Sequence, residues 1–181
     1  FFSATLSEDI HRISGKFVSN PKVVEVAPPA STADTVAQHL TWTDMKGKRD
    51  ALRRLLRIED VKNAVIFCNR KRDIGVLIRS LTRHGFDAVA LHGDMSQSAR
   101  LEALQRFKDG EVPLLIASDV AARGLDIAGL SHVFNFDVPS NAEDYVHRVG
   151  RTGRAGRNGQ AFTLASGEDD EKAILAIEKL T

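Results

Sequence analysis

The residues best suited to chemistry are arginines that recur at every third position of one segment: Arg148, Arg151, Arg154 and Arg157. No acid lies between Asp144 and Glu168 to neutralise them. A guanidinium group matches phosphate oxygens with two hydrogen bonds and stays charged, so the segment predicts a site that stabilises charge on a transferred phosphoryl group. The interleaved glycines exclude a long helix and let the backbone approach a ligand. A solvated basic loop is the equal alternative from composition alone.

A second polar cluster directly follows the apolar stretch Leu114 to Ala117. Ser118 is suited to hydrogen-bond a phosphate, and Asp126 is suited to hydrogen-bond a ribose hydroxyl. The alternative is structural: Asp119 would cap a helix and Asp126 would pair with an arginine. Position alone leaves both interpretations open.

A third cluster joins a glycine turn at Gly93 to a predicted helix whose first turn carries Gln97 and Arg100 on one face. The free backbone amides of a helix N-terminus, with an arginine beside them, bind phosphate groups well. Capping by Ser96 with an exposed Arg100 is the alternative. A nucleic-acid backbone is therefore one of two readings of this segment.

Two further basic segments are Asn69-Arg70-Lys71-Arg72, after an apolar stretch, and the run from Lys46 to Arg57. The second is interpreted as the solvent face of an amphipathic helix rather than as an RNA contact. Cys68 is interpreted as a core residue, since it ends an apolar stretch. No G-x-x-x-x-G-K-[S/T] loop is present, so the chain alone is not predicted to hydrolyse a nucleoside triphosphate.

The elements that must position these clusters alternate between extended and helical patterns. Extended segments are predicted at Val36 to Thr43, Ala64 to Cys68, Ala88 to Leu91, Leu114 to Ser118, His132 to Phe136 and Gln160 to Leu164. Helical segments are predicted from the apolar stripes of Ile74 to Leu81 and Leu101 to Phe107, from a capping box of Ser140 with Glu143, and at Asp169 to Leu180. Short apolar strands that alternate with helices predict an α/β domain, a three-layer sandwich with a mainly parallel sheet. Ligands of such sheets bind at the carboxyl ends of the strands.

Composition narrows the class of protein. The 181 residues are 43% hydrophobic with a net charge of +1, so any polyanion site must come from local clustering. No apolar run approaches the roughly 20 residues that cross a bilayer, and the single cysteine excludes an intramolecular disulfide. We expect no metal site, and a cytoplasmic location. Residues 1–30 differ in pattern from 31–181, and the chain begins with Phe1-Phe2, so we expect a fragment with a domain boundary there.

Taken together, these segments resemble the C-terminal half of the DEAD-box RNA helicases, and the chain is similar to the bacterial RhlE-type branch. The resemblance covers essentially the whole chain. The motifs that carry it are Ser3-Ala4-Thr5, Phe67 to Arg70, Gln97 with Arg100, Ser118 to Asp126, and His147 to Arg154. The family motif that matches Ser118 to Asp126 commonly has threonine where Ser118 stands, a difference that keeps the hydroxyl.

The resemblance implies the helicase C-terminal RecA-like domain at 31–181 and, at 1–30, a remnant of the first domain with its linker. It implies that the two domains close over ATP, with Mg²⁺ held mostly by the first domain, and over single-stranded RNA. The implied catalytic arginines are Arg151 and Arg154, and Gly124 and Asp126 are implied to line the nucleotide with them. The implied RNA-backbone contacts are Asn69, Arg70, Gly93, Gln97, Arg100 and Ser118. The implied interdomain coupling residues are Ser3, Thr5, His147 and Arg148.

Two alternatives compete with this interpretation: a superfamily-2 DNA helicase or translocase domain, and a non-enzymatic RNA-binding module. His147-Arg148 and the Gln97-x-x-Arg100 pattern favour the DEAD-box set over the first. The fragment alone is expected to be inactive, and its oligomerisation through residues 1–30 is a further expectation.

Overall fold

The computed structural model describes residues 8–18, 22, 35–122, 127, 129–153 and 157–180. Five of the predicted site residues lie outside this part of the chain: Ser3, Thr5, Gly124, Asp126 and Arg154. The chain divides into two compact units, Phe1–Ser31 and Thr32–Thr181. In the first unit, helix α1 spans Glu8–Phe17.

The second unit is an alternating α/β domain, as predicted. Its elements are β1 (Val36–Trp42), α2 (Lys48–Ile58), β2 (Ala64–Phe67), α3 (Lys71–Arg83), β3 (Ala88–Leu91), α4 (Gln97–Lys108), β4 (Leu114–Ala117), α5 (Asp119–Ala122), β5 (His132–Asn135), α6 (Ala142–Val149), β6 (Gly159–Ala165) and α7 (Gly167–Glu178). The six predicted extended segments match the described strands to within one residue at each end.

The described strands form one sheet in the order β1-β6-β5-β2-β4-β3, and every neighbouring pair is parallel. The chain moves in one direction across the sheet through α2 and α3, and in the other through α4, α5 and α6. Because crossovers between parallel strands are right-handed, the two sets of helices cover opposite faces. The three-layer prediction is confirmed.

The core forms where α2 and α3 cover the central strands. All four residues of β2 and all four of β4 are buried, because helices cover both faces of the sheet there. Leu52 and Leu56 of α2 and Ile74 and Leu77 of α3 pack against them. Each such side chain contributes roughly 1.5–3 kcal/mol relative to an exposed one.

Two local predictions are wrong. Helix α6 is capped by Asn141, whose Oδ1 accepts from the backbone N–H of Asp144 at 2.7 Å, and Ser140 is not the cap. Leu101 was expected in the apolar stripe of α4 and is 57% exposed, while Ala103 is buried instead. The face of α4 that packs on the sheet is thus rotated from the one that the leucines indicated.

Among the described residues, no helix combines the length and apolar character that a bilayer crossing requires.

Candidate functional site at the carboxyl edge of the sheet

The loops that follow β2, β4 and β3 lie side by side, because these strands are neighbours in the sheet. The predicted RNA-contacting residues all follow these strands: Asn69 and Arg70 after β2, Gly93, Gln97 and Arg100 after β3, and Ser118 after β4. The backbone N–H of Ser118 donates to Leu91 O at 3.4 Å, and an Arg100 Nη2 donates to Ala121 O at 3.4 Å. The fold therefore brings the three clusters to one edge.

The N-terminus of α4 is open to solvent at this edge. Ser96 Oγ accepts from the backbone N–H of Ala99 at 3.3 Å, so the predicted cap is present. The capping alternative assumed an exposed Arg100. In the structure Arg100 is half-buried against the backbone after β4. A Cβ added at Gly93 would meet no atom within 4 Å, so the space above this glycine is free for a ligand.

A charged pair links the same loop to α3. Lys71 Nζ lies 2.9 Å from a carboxylate oxygen of Asp94, and both side chains are exposed. The hydrogen bond from Lys71 lowers the pKa of the Asp94 carboxyl below its usual value. Exposed pairs of this kind contribute little to stability, so this pair is a weak link between the loop and α3.

Arg148 is the centre of the edge. Its side chain is 1% exposed, and its guanidinium makes two hydrogen bonds to the Asp119 carboxylate, at 2.7 and 2.6 Å. It also donates to Asn69 Oδ1 at 2.7 Å and to Asp137 O at 2.8 Å, and it stacks over the Phe67 ring at 5.1 Å. One buried arginine thereby ties together the loops after β2, β4 and β5.

Asn69 completes this network from the other side. Its Nδ2 donates to Val138 O at 2.8 Å, and its backbone N–H donates to Asp137 Oδ2 at 2.9 Å. Burial raises the pKa of the Asp137 carboxyl, and the hydrogen bond from Asn69 opposes that shift. The Asn69 amide is thus held by domain partners, while Arg70 beside it is exposed.

Cys68 lies under this network and is fully buried. Burial strongly raises the pKa of its thiol, which keeps it protonated. Because the thiolate is the nucleophilic form, the interpretation of Cys68 as a core residue is consistent with its surroundings.

His147 and Arg151 lie together at the end of α6. They line a small concavity with Asp119, Asp144 and Arg148. Arg151 Nη1 donates to Ile127 O at 3.5 Å, and both side chains are partly exposed. The structure therefore places a partly exposed arginine and histidine directly beside the buried Arg148 network.

The glycines of the arginine segment have mixed roles. Gly153 has a φ of +65°, and a Cβ there would collide with Val36 and lie 3.0 Å from Thr35 Oγ1. A Cβ at Gly159 would collide with Thr152 and with the backbone of Gly153. These two glycines permit close packing within the domain, a role that the prediction of ligand approach did not include.

The described residues at this edge fit an anion rather than a metal ion. They contain no group of three or more His, Cys, Asp or Glu side chains that could hold a metal ion. The Asp119 carboxylate is occupied by Arg148, and the Asp137 carboxylate accepts from Asn69. Arg151 supplies positive charge that suits a phosphate.

The partners of Arg148 were not predicted from the sequence. Asp119 was interpreted only as a helix cap, and the other two partners, Asn135 and Asp137, were not among the predicted site residues. Asn135 is 0% exposed and ends β5, with its Nδ2 3.0 Å from Thr163 Oγ1. A polar residue that ends an apolar strand, followed two residues later by an acid, was the available signal.

Comparisons with known proteins agree with this geometry. Residues 47–156 match the model of the "Helicase conserved C-terminal domain" family. The chain is 44% identical over 181 residues to the DEAD-box ATP-dependent RNA helicase CshA of Bacillus subtilis, covering 99% of this chain and 36% of that protein. The chain thus spans about a third of the length of this curated relative.

Solved structures of DEAD-box proteins share the fold, and two of them illustrate the likeness. The C-terminal domain of the DEAD-box protein Dbp5 superposes with a TM-score of 0.75 at 31% identity, covering 81% of this chain and 85% of that one. S. cerevisiae Dbp5 bound to RNA and ADP BeF3 superposes with a TM-score of 0.89 at 30% identity, covering 99% of this chain and 48% of that one.

Proposed function

Because the chain belongs to the DEAD-box RNA helicases, as their helicase C-terminal domain, we propose that its parent protein is an ATP-dependent RNA helicase. In this proposal the domain supplies arginines to the nucleotide and half of a sequence-independent RNA-backbone site. The observation that carries it is the buried Arg148 network. This network holds the loops proposed for the nucleotide and those proposed for RNA at one edge of the sheet.

On the nucleotide side, Arg151 and Arg154 act as arginine fingers for ATP bound mainly by a first helicase domain. The partly exposed Arg151 beside the Arg148 network supports this role. Gly124 and Asp126 line the same nucleotide. The phosphate loop is assigned to the first domain because this sequence contains none. The Mg²⁺ ligands are assigned there too, because the described acids of this edge already have hydrogen-bond or ion-pair partners. Phosphoryl transfer depends chiefly on positioning and charge neutralisation, which arginines supply.

On the RNA side, the backbone of one strand lies across the loops after β2, β3 and β4. Contacts come from the Asn69-Arg70 loop and from Gly93, Gln97, Arg100 and Ser118. The amide of Asn69 is held by partners within the domain and positions this loop. The open N-terminus of α4 and the free space above Gly93 support this assignment. These groups suit phosphate and sugar rather than base edges, so binding is independent of sequence.

Hydrolysis becomes conditional on closure when the arginines and the phosphate loop belong to different domains. The residues Ser3, Thr5, His147 and Arg148 couple the two sites. Arg148 acts as a positioning residue, since its guanidinium is committed to partners within the domain. The 181-residue chain alone is inactive in this proposal.

Finer assignments extend the same proposal. We place the protein in the RhlE-type branch and in the cytoplasm, and we assign residues 1–30 to the first domain, where they provide a surface for self-association of the fragment.

The test is RNA-stimulated ATP hydrolysis by the complete gene product at saturating ATP and RNA. Arg154→Ala is expected to lower turnover on the order of 10³-fold or more while ATP binding is largely retained. Arg157→Ala is the matched control, because Arg157 is an exposed arginine of the same segment. Unchanged turnover in Arg154→Ala removes that arginine from catalysis. A native protein stimulated equally by DNA, or not at all, would overturn the RNA helicase assignment.

A further inference from the structure

A basic groove lies between α2 and α3, the two helices that cover one face of the sheet. Its volume is about 320 Å³, and its basic lining residues are Lys46, Arg49, Arg53, Arg79, Arg83 and His84. We call it the α2–α3 groove. None of its lining residues belongs to the carboxyl-edge site. The groove contains the N-terminal half of the basic run that the sequence analysis interpreted as a solvent face.

Positive charge in the α2–α3 groove is only partly neutralised. Asp50 is the acid that lines it, and its carboxylate is paired with Arg53. Arg49, Arg79 and Arg83 are exposed and have no ion-pair partner among the residues that the structure describes. With a net charge of only +1 for the whole chain, this concentration of cations is local and not a general property of the surface.

One hydrogen bond joins the two walls of the groove, and a second lies within the wall that α3 forms. Arg53 Nη1 donates to Ser80 Oγ at 2.9 Å, which ties α2 to α3. His84 Nδ1 lies 2.7 Å from Ser80 O, and a carbonyl oxygen only accepts, so this ring nitrogen donates. The arginines therefore project from two helices that are joined to each other. A set of cations in fixed positions binds an extended anion better than the same cations on mobile surface segments would.

The lining favours phosphate over an apolar ligand. Val76, 40% exposed, is the hydrophobic residue among the lining side chains. Arginine forks bind phosphate oxygens with two hydrogen bonds each. The groove lies along the same helix as the carboxyl edge: from Lys71 to Arg83, α3 rises about 18 Å at 1.5 Å per residue. A strand of several nucleotides that leaves the edge can reach it.

We propose that the α2–α3 groove is a second RNA-backbone site, which holds the strand beyond the segment bound at the carboxyl edge. The choice of RNA as the polyanion rests on the proposed function. The second site would anchor one strand outside the cleft, so that RNA stays bound to this domain when the cleft opens.

The experiment measures binding of a fluorescein-labelled 20-nucleotide oligouridine to the 181-residue chain by fluorescence anisotropy, between about 25 and 200 mM salt. The groove variant is Arg49→Gln with Arg83→Gln, one arginine from each helix. The matched control is Lys172→Gln with Lys179→Gln, which removes the same charge from an exposed position of α7 and from the exposed residue that follows the helix. A third variant, Arg100→Ala, tests the carboxyl edge.

Two lost phosphate contacts should reduce the salt slope of log K by about 1.4 and weaken binding about 25-fold at 0.1 M salt, since each contact on single-stranded nucleic acid contributes about 0.7 to the slope. The control pair should keep the native slope.

Equal binding by the groove variant and the control overturns the groove proposal. If Arg100→Ala alone weakens binding, the edge assignment stands and the groove assignment falls. If the native chain does not bind the oligouridine, both fall. A labelled 20-residue polyglutamate is measured in parallel. If the groove variant loses affinity for that peptide and not for RNA, the groove is a docking site for an acidic protein and the RNA proposal is wrong.

Discussion

The guanidinium of Arg148 and the carboxylate of Asp119 face each other in a paired geometry, with Nε–Oδ1 and Nη2–Oδ2 distances of 2.7 and 2.6 Å. Asp119 is the first residue of α5 and Arg148 lies near the end of α6, 29 positions away. The two segments that carry the proposed nucleotide chemistry are therefore joined by a buried two-point ion pair. Contacts within this domain therefore set their relative position.

Removal of the Asp119 carboxylate should strongly destabilise the domain. Asp119→Ala leaves the buried Arg148 charge without its main partner, at a cost of about 3–5 kcal/mol of unfolding free energy. Glu111→Ala is the matched control, because Glu111 pairs with Arg106 at the surface, where such pairs contribute below about 1 kcal/mol. Urea unfolding of the 181-residue chain gives both values. Equal losses in the two variants would show that the buried pair has no special weight.

Arg148 and Arg151 should differ in the property that each controls. Arg148→Lys keeps the charge but loses the planar fork, so it should lower the unfolding free energy by roughly 2–4 kcal/mol. Arg151→Lys should change that free energy by less than about 1 kcal/mol, because the side chain is partly exposed, and should lower ATP turnover of the complete gene product. Urea unfolding and ATPase assays separate the two effects. If Arg151→Lys destabilises as much as Arg148→Lys, Arg151 is a structural residue.

The strands and helices follow from local patterns, whereas the partners of the buried polar groups do not. The short apolar runs at Ala64 and Leu114 predict strands because both faces of a parallel sheet are covered. The ion pair of Asp119 and Arg148 depends on which strands are neighbours, and no periodicity within a segment encodes that order. The burial of Leu101 was also predicted wrongly. The predicted stripe counted the leucines and ignored the small side chain of Ala103, which is the buried one.

A second buried charge, at the start of α2, gives a similar test. Lys48 is 3% exposed, and its Nζ lies 3.0 Å from Asp170 Oδ2. Asp170 also accepts from the backbone N–H of Ser166 at 2.7 Å. Glu168, Asp169 and Asp170 form an acidic first turn of α7, where negative charge complements the helix dipole, and Asp170 has this additional role.

Asp170→Ala should therefore lower the unfolding free energy by about 3–5 kcal/mol, since Lys48 would remain buried without its partner. Asp169→Ala, at an exposed position of the same turn, should lower it by less than about 1 kcal/mol. Thermal or urea unfolding of the two variants makes the comparison. A loss in Asp169→Ala as large as that in Asp170→Ala would assign the effect to the helix dipole instead.

The stability of the domain should fall in mild acid because of His132. This residue is 4% exposed, and burial lowers the pKa of its imidazole below the ordinary value of 6.5, with Glu59 opposing the shift. Between the lowered pKa and 6.5 the unfolded chain binds more protons than the folded one. Stability therefore rises with pH through that window, is fully present above it and is lost as the pH falls.

His132→Phe should flatten this dependence, since it keeps the ring that stacks on Phe134 and removes the titrating group. Phe134→Leu is the control: it should lower stability by a similar amount at every pH. Urea midpoints measured between about pH 5 and 8 give the slopes. A native slope retained in His132→Phe would mean that another group causes the acid sensitivity.

Gly153 should tolerate substitution less well than another glycine of the same conformation. Gly153 and Gly85 have φ values of +65° and +81°, so an alanine at either position costs about 1 kcal/mol or more in backbone strain. At Gly85 a Cβ meets nothing within 4 Å, whereas at Gly153 it collides with Val36. Overpacking adds about 1–3 kcal/mol at Gly153 alone. Urea unfolding should thus rank Gly153→Ala well below Gly85→Ala.

Because Gly153 lies between Arg151 and Arg154, Gly153→Ala should also lower ATP turnover in the complete gene product. Equal stability of the two variants would show that β1 moves aside at little cost, and that the close packing at Gly153 does not position the arginine segment.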